Sequence, residues 1–90
     1  MSEAEMLEFL KVDLGITTTV YDARLRSYLT AARQGIEQEG VKNLNTGTMN
    51  DAQIVIMYAA WMWRRRDSME GMPRMLRWKL NNRIFAGVPV

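Results

Sequence analysis

The chain has 90 residues, of which 48% are hydrophobic and 24% are charged, a composition typical of one soluble globular domain and not of a disordered chain. It contains no cysteine and no histidine, which excludes a disulfide framework and a thiolate zinc site and removes the commonest general base. The net charge of +2 combines an acidic first half with a basic second half, a division typical of nucleic-acid contact, of subunits packed head to tail, or simply of a solvated basic helix.

The first helix is predicted from about Glu3 to Leu14. Ser2 followed by Glu5 fits a capping box, in which the hydroxyl and the carboxylate satisfy each other's backbone donors. Gly15 is well placed to end the helix in the left-handed conformation. The buried stripe of this helix is predicted to be Leu7, Leu10 and Leu14.

The second helix is predicted from about Val20 to Glu39 and has the cleanest amphipathic pattern in the chain. Thr19 followed by Asp22 forms a second capping pair. Gly35 lies inside the helix, where it costs about 1 kcal/mol relative to alanine unless it permits the close approach of a neighbour. The predicted buried stripe is Tyr21, Leu25, Tyr28, Leu29, Ala32 and Ile36.

The central helix is predicted over Asp51–Arg66, with Thr48 and Asp51 as a third capping pair after a loop. Its apolar run Ile54–Trp63 is too short to span a bilayer, which takes about 20 residues. A helix that is apolar all round is buried all round. We expect its second face to pack against another subunit, because a small domain buries a lower fraction of its surface. The alternative is a helix threaded through a monomeric bundle. The second face comprises Ile56, Ala60 and Trp63.

The fourth helix is predicted from Pro73 to about Ile84, since proline suits the first turn of a helix. Its core stripe is predicted to be Met72, Leu76, Leu80 and Ile84, with Arg74, Trp78 and Phe85 on the opposite side. An extended tail is predicted over about residues 86–90. The predicted fold is therefore all-α: a four-helix bundle with a short first helix, two long antiparallel central helices and a C-terminal helix plus tail.

Catalysis fits the sequence poorly, and we predict that the protein is not an enzyme and needs no metal or cofactor. The chain has no phosphate-binding glycine loop, no EF-hand spacing, and no histidine to activate a serine. Nucleic-acid binding has more support, because arginines alternate with aromatic residues in the second half. A tryptophan within a long apolar helix is, however, more often part of a core. The basic residues of this half are Arg64, Arg65, Arg66, Arg74, Arg77, Lys79 and Arg83.

Four segments together resemble the small head–tail connector proteins of tailed bacteriophages, also termed head-completion or adaptor proteins. LEFLKVD at Leu7–Asp13 resembles the family's opening helix, and DARLRSYLTAARQGIE at Asp22–Glu37 resembles its second helix. DAQIVIMYAAWMWRRR at Asp51–Arg66 resembles the central helix. MPRMLRWKLNNR at Met72–Arg83 resembles the closing segment. Their order and spacing, rather than any single motif, carry the resemblance.

The resemblance implies a structural subunit of a phage or prophage that assembles into a closed ring, of about twelve copies by family likeness. The ring would bind the portal protein, extend the DNA channel, contact DNA without sequence preference, and receive a tail or stopper protein. The acidic N-terminus MSEAEMLEF lacks the pattern of a signal peptide. We therefore expect synthesis in the cytoplasm and no membrane contact. The resemblance implies assembly in the bacterial cytoplasm and a final location at the virion head–tail interface.

Nine residues are predicted to contact another subunit or the portal. An alternative function is a small DNA-binding regulator or DNA-packaging accessory protein that uses the basic C-terminal half. A further alternative is a monomer with an unrelated partner. The nine predicted interface residues are Ile56, Ala60, Trp63, Arg64, Arg65, Arg66, Arg74, Trp78 and Phe85.

Overall fold

The structure is a computed structural model that describes residues 1–86. Four helices form it: α1 (Glu3–Leu14), α2 (Asp22–Gln38), α3 (Met49–Arg65) and α4 (Arg74–Ala86). These residues include no β-strand, and the all-α prediction is confirmed. The predicted tail was wrong at residue 86, which is still helical, and its remainder at residues 87–90 lies outside the described residues.

Helix α3 is the element on which the other three helices pack. Helix α2 runs antiparallel to it, because Tyr28 near the start of α2 contacts Trp63 at the end of α3. Helix α4 is also antiparallel, since Arg83 bonds Asp51. Helix α1 is parallel to α3: Arg64 Nη2 donates to the Asp13 carbonyl at the C-terminal ends of both helices. Consecutive helices therefore run in opposite directions, as short connections between helices require.

The expectation that Ile56, Ala60 and Trp63 need another subunit to cover them is wrong, because the chain buries all three itself. Their exposed fractions are 5%, 3% and 8%, respectively. Ile56 lies beside α1, and Ala60 lies between α1 and the start of α4. Trp63 packs edge-on against both Tyr21 and Tyr28, with ring centroids 5.5 Å apart in each pair. Three helices cover α3 on different sides, so one chain buries both of its faces.

Two of the three predicted capping pairs, at α1 and α3, are confirmed. At α1 the capping box is complete: Ser2 Oγ accepts from the Glu5 N–H and Glu5 Oε1 accepts from the Ser2 N–H, both at 3.1 Å. The hydrogen bond from the Ser2 backbone is the main cause that lowers the pKa of Glu5. At α3 the Thr48 hydroxyl accepts from the Asp51 N–H at 3.4 Å, so this cap is confirmed. The carboxylate of Asp51 has other partners, described below.

The predicted Thr19–Asp22 capping pair is wrong. Helix α2 begins at Asp22 and has no side-chain cap at its N-terminus. The Thr18 hydroxyl instead accepts from the Val20 N–H at 2.8 Å, which holds this segment in a turn. Asp22 pairs with Lys11, whose Nζ lies 2.9 Å from Asp22 Oδ1, so the carboxylate joins α2 to α1 rather than capping its own helix.

The predicted core stripes of the amphipathic helices are confirmed at their centres. Leu7 and Leu10 of α1 are buried, as are Leu76 and Leu80 of α4. Four positions of the α2 stripe are also buried, whereas Tyr21 at the start of that stripe is 44% exposed. Stripe residues at helix ends are partly exposed, because fewer neighbours cover them. The four buried α2 positions are Leu25, Leu29, Ala32 and Ile36.

Gly35 permits the close approach of one side chain. A Cβ added at this position would lie 2.8 Å from the Tyr58 hydroxyl oxygen and 3.0 Å from two ring carbons. Tyr58 is itself held by an edge-on contact with Trp61 at 5.3 Å between ring centroids. The glycine therefore lowers the helix propensity of α2 but allows α2 to pack directly on α3.

We expect Gly35→Ala to lack the usual stabilisation of about 1 kcal/mol that alanine gives in a helix interior, because overpacking costs about 1–3 kcal/mol. Urea unfolding of Gly35→Ala measures the net effect. Gln34→Ala, at an exposed position of the same helix, is the control and changes stability by about 0.5 kcal/mol or less. A Gly35→Ala variant that is more stable than the wild type by about 1 kcal/mol would contradict the packing account.

Candidate assembly surface

Helix α4 exposes three large apolar side chains on its outer side. Met75, Trp78 and Phe85 are 57%, 60% and 72% exposed. At 100° per residue they lie with Arg74 within roughly one quadrant of the helix, opposite the buried Leu76 and Leu80. We call Arg74, Met75, Trp78, Asn82 and Phe85 the outer face of α4. Arg74, Trp78 and Phe85 are all exposed, so their predicted outward orientation is confirmed.

The three consecutive arginines at the end of α3 have separate intramolecular partners. Arg64 Nη2 donates to the Asp13 carbonyl at 3.1 Å, near the C-terminus of α1. The guanidinium carbon of Arg65 lies 4.1 Å from the Trp61 ring centroid, and that of Arg66 lies 3.9 Å from the Trp63 ring centroid. All three side chains remain exposed, and such stacked cations shield the tryptophans at the bundle end from water.

A buried ion pair joins α4 to the start of α3 and to the loop before it. Arg83 Nε donates to Asp51 Oδ1 at 2.8 Å, and Arg83 Nη2 donates to the backbone carbonyls of Lys42 and Asn43 at 2.9 and 3.0 Å. Asp51 Oδ2 also accepts from the Asn45 N–H at 2.9 Å. Asp51 is 4% exposed, so this pair is largely desolvated.

The environment of Asp51 has opposing effects on its pKa. Burial is the largest single influence and raises the pKa, since it disfavours the charged carboxylate. The hydrogen bonds from Arg83 and from the Asn45 backbone, with the charge of Arg83, outweigh it and lower the pKa. Asp51 is therefore a carboxylate at neutral pH. It anchors the loop before α3 and leaves Arg83 poorly placed to bind a phosphate.

A groove of about 440 Å³ lies between α1 and α3. Phe9 and Met49 on its walls are 52% and 59% exposed. Asp13 lies at one end of the groove. No residue of α4 lines it, so the groove and the outer face of α4 occupy different parts of the surface. The lining residues are Met1, Phe9, Asp13, Met49, Gln53, Ile56 and Met57.

Sequence reasoning missed this groove because Phe9 and Met49 flank apolar stripes that already account for their helices. The exposed Phe9 between Glu5 and Asp13, one turn away on either side, was the available signal. The structure does not bring the nine predicted interface residues together. Three are buried against neighbouring helices, three end α3, and three lie on the outer face of α4.

Within residues 1–86 no group of three or more acidic side chains could hold a metal ion. Among these same residues, no helix combines the length and the apolarity needed to cross a bilayer. Comparison of the sequence and fold with family models, curated proteins and solved structures gives no match.

Proposed function

We propose that this chain is a structural subunit of a phage or prophage head–tail connector, which assembles beneath the portal through the outer face of α4. The segment-by-segment resemblance supports the family, and the all-helical fold agrees with it. One observation carries the assembly claim: Met75, Trp78 and Phe85 are more than half exposed on one side of a single helix. Large apolar side chains that are exposed together on one face mark interaction sites in soluble proteins.

The basic residues support this structural role better than sequence-specific DNA recognition. Residues 66–73 separate α3 from α4, which is longer than the turn of three to four residues in a helix–turn–helix. Arg83 is held by Asp51, and Arg77 Nη1 donates to Glu39 Oε2 at 3.0 Å. Arg74 and Lys79 make no ion pair within the described residues. Lys79, which lies outside the outer face, would supply weak, salt-dependent contact with DNA in a channel.

We expect the chain to form a large complex with the portal protein of the same phage or prophage, and Trp78→Glu to prevent it. The glutamate would place a charge at the centre of the apolar outer face, where a large aromatic anchor supplies much of the affinity. Size-exclusion chromatography with light scattering measures the complex. Val20→Glu is the control, because Val20 is an apolar residue 79% exposed outside the outer face.

Equal binding of Trp78→Glu and wild-type chain to the portal would contradict the proposed surface. The same variants should be compared by circular dichroism, since both substitutions lie at exposed positions and leave the helical content unchanged. Tight binding of a preferred duplex sequence at physiological salt would instead favour the regulator.

A further inference from the structure

We propose that the outer face of α4 docks into the α1/α3 groove of a second copy of this chain. The inference rests on the proposed connector function for its biological setting, and it assigns the two surfaces that meet between adjacent subunits. Both are exposed and largely apolar, and each has a charged side chain at one end. Because they are different patches of one chain, the contact is heterologous and can continue from copy to copy.

Methionine side chains make the lining of the groove apolar and adaptable. Met1, Met49 and Met57 line it with Phe9 and the edge of Ile56. Methionine side chains are unbranched and polarisable, so they adjust to an inserted aromatic ring and make favourable contacts with its edge. The groove therefore suits Trp78 and Phe85, the two exposed aromatic side chains of α4.

The spacing of the two surfaces agrees. Trp78 and Phe85 are seven residues apart on one helix, which is about 10 Å along its axis. Met49 and Met57 are eight residues apart on α3, which is about 12 Å. The spacing of the two aromatic side chains of α4 thus matches the spacing of Met49 and Met57 in the groove.

The charges of the two surfaces are complementary. Asp13 is the charged side chain that lines the groove, and Arg74 is the charged side chain of the outer face. Two of the other bases of α4, Arg77 and Arg83, are already held in ion pairs of their own chain. Asp13 and Arg74 make no ion pair within residues 1–86, so both charges are available to a second copy.

These charges also set the orientation of docking. Asp13 lies at the end of the groove near Met57, and Arg74 lies one turn before Trp78. Pairing Arg74 with Asp13 places Trp78 near Met57 and Phe85 near Met49. The docked α4 is then antiparallel to α3 of the receiving copy. Rim charges of this kind orient the approach, while the buried aromatic side chains hold the complex.

Site-specific cross-linking tests this docking directly, because the chain has no cysteine of its own. Gln53 is exposed at the centre of the groove, and Asn82 is exposed between Trp78 and Phe85 on the outer face. Copies with Gln53→Cys and copies with Asn82→Cys are mixed at high concentration in a thiol–disulfide redox buffer. The mixed disulfide dimer is then measured by non-reducing electrophoresis.

We expect roughly tenfold more of this 53–82 dimer than of the dimer from Gln34→Cys mixed with Asn82→Cys, since docking raises the local thiol concentration. Gln34 is an exposed position on α2, away from the groove. Adding Phe9→Glu to the Gln53→Cys copy should return the yield to the control level. Asp13→Arg should lower the yield, and Arg74→Asp in the other copy should restore it.

A 53–82 yield equal to the control would overturn the docking proposal, as would a predominance of homodimers linked through Asn82→Cys. Portal binding that still depends on Trp78 while the 53–82 pair stays unlinked would refute the docking proposal alone. A 53–82 dimer formed by a chain that does not bind the portal would support the docking surfaces and contradict the connector function.

Discussion

Trp63→Glu is expected to unfold the chain, whereas Trp78→Glu leaves the fold intact. Trp63 is 8% exposed between Tyr21 and Tyr28, and removing such a side chain costs about 3–5 kcal/mol. Burying an unpaired carboxylate adds several kcal/mol more. A domain of this size has a total stability of about 5–13 kcal/mol, so the sum is comparable with the whole.

Far-UV circular dichroism and thermal melting measure this difference. Trp78 is the matched control, because it is the same residue type at 60% exposure on α4. Its replacement should change the free energy of unfolding by about 0.5 kcal/mol or less. A helical Trp63→Glu variant with the melting temperature of the wild type would show that Trp63 is not part of the core.

Arg83→Met is expected to cost about 3–5 kcal/mol of stability, because it leaves the buried Asp51 carboxylate without its counter-charge. The same change at Arg77 should cost about 1 kcal/mol or less. Arg77 also pairs with a carboxylate, but its side chain is 43% exposed, whereas that of Arg83 is 15% exposed. Urea unfolding of the two variants gives the comparison, and equal losses would contradict the assigned role of the buried pair.

The same ion pair predicts a pH dependence of stability. Asp51 has a lowered pKa in the folded chain, against about 3.9 when unfolded. Its carboxylate therefore stabilises the fold fully above pH of about 4, and this contribution is lost as the pH falls through the folded pKa. Asp51→Asn cannot titrate. The stability difference between the wild type and Asp51→Asn should thus shrink on acidification below pH 4, and a constant difference would contradict the linkage.

The sequence predicted helices and buried stripes well because these depend on local periodicity. The bounds of α1 agree with the prediction, and the apolar run of α3 is buried as predicted except at the half-buried Met57 and Met62. Which neighbour covers each face of α3 is a tertiary property. Ile56 and Ala60 are covered by other helices of the same chain. The residue pattern of α3 alone does not show whether a covering helix belongs to the same chain or to another subunit.

The Asp51–Arg83 ion pair shows the same limit of sequence-based prediction for polar residues. Asp51 follows Thr48 at the spacing of a helix cap, so its local context explains its presence. Its carboxylate nevertheless bonds Arg83, which is 32 residues away. Among the predicted interface residues, only those on α4 kept their outward orientation with large apolar exposure. Helix α4 packs against α3 on its inner side, and no described helix covers its outer side.

The most direct test of the account is electron microscopy of the chain mixed with its portal protein. Wild-type chain and the Val20→Glu control are predicted to add a ring of density coaxial with the portal, and Trp78→Glu is predicted to leave the portal bare. A portal that gains no ring from folded wild-type chain at high concentration, or gains the same ring from Trp78→Glu, would contradict the account.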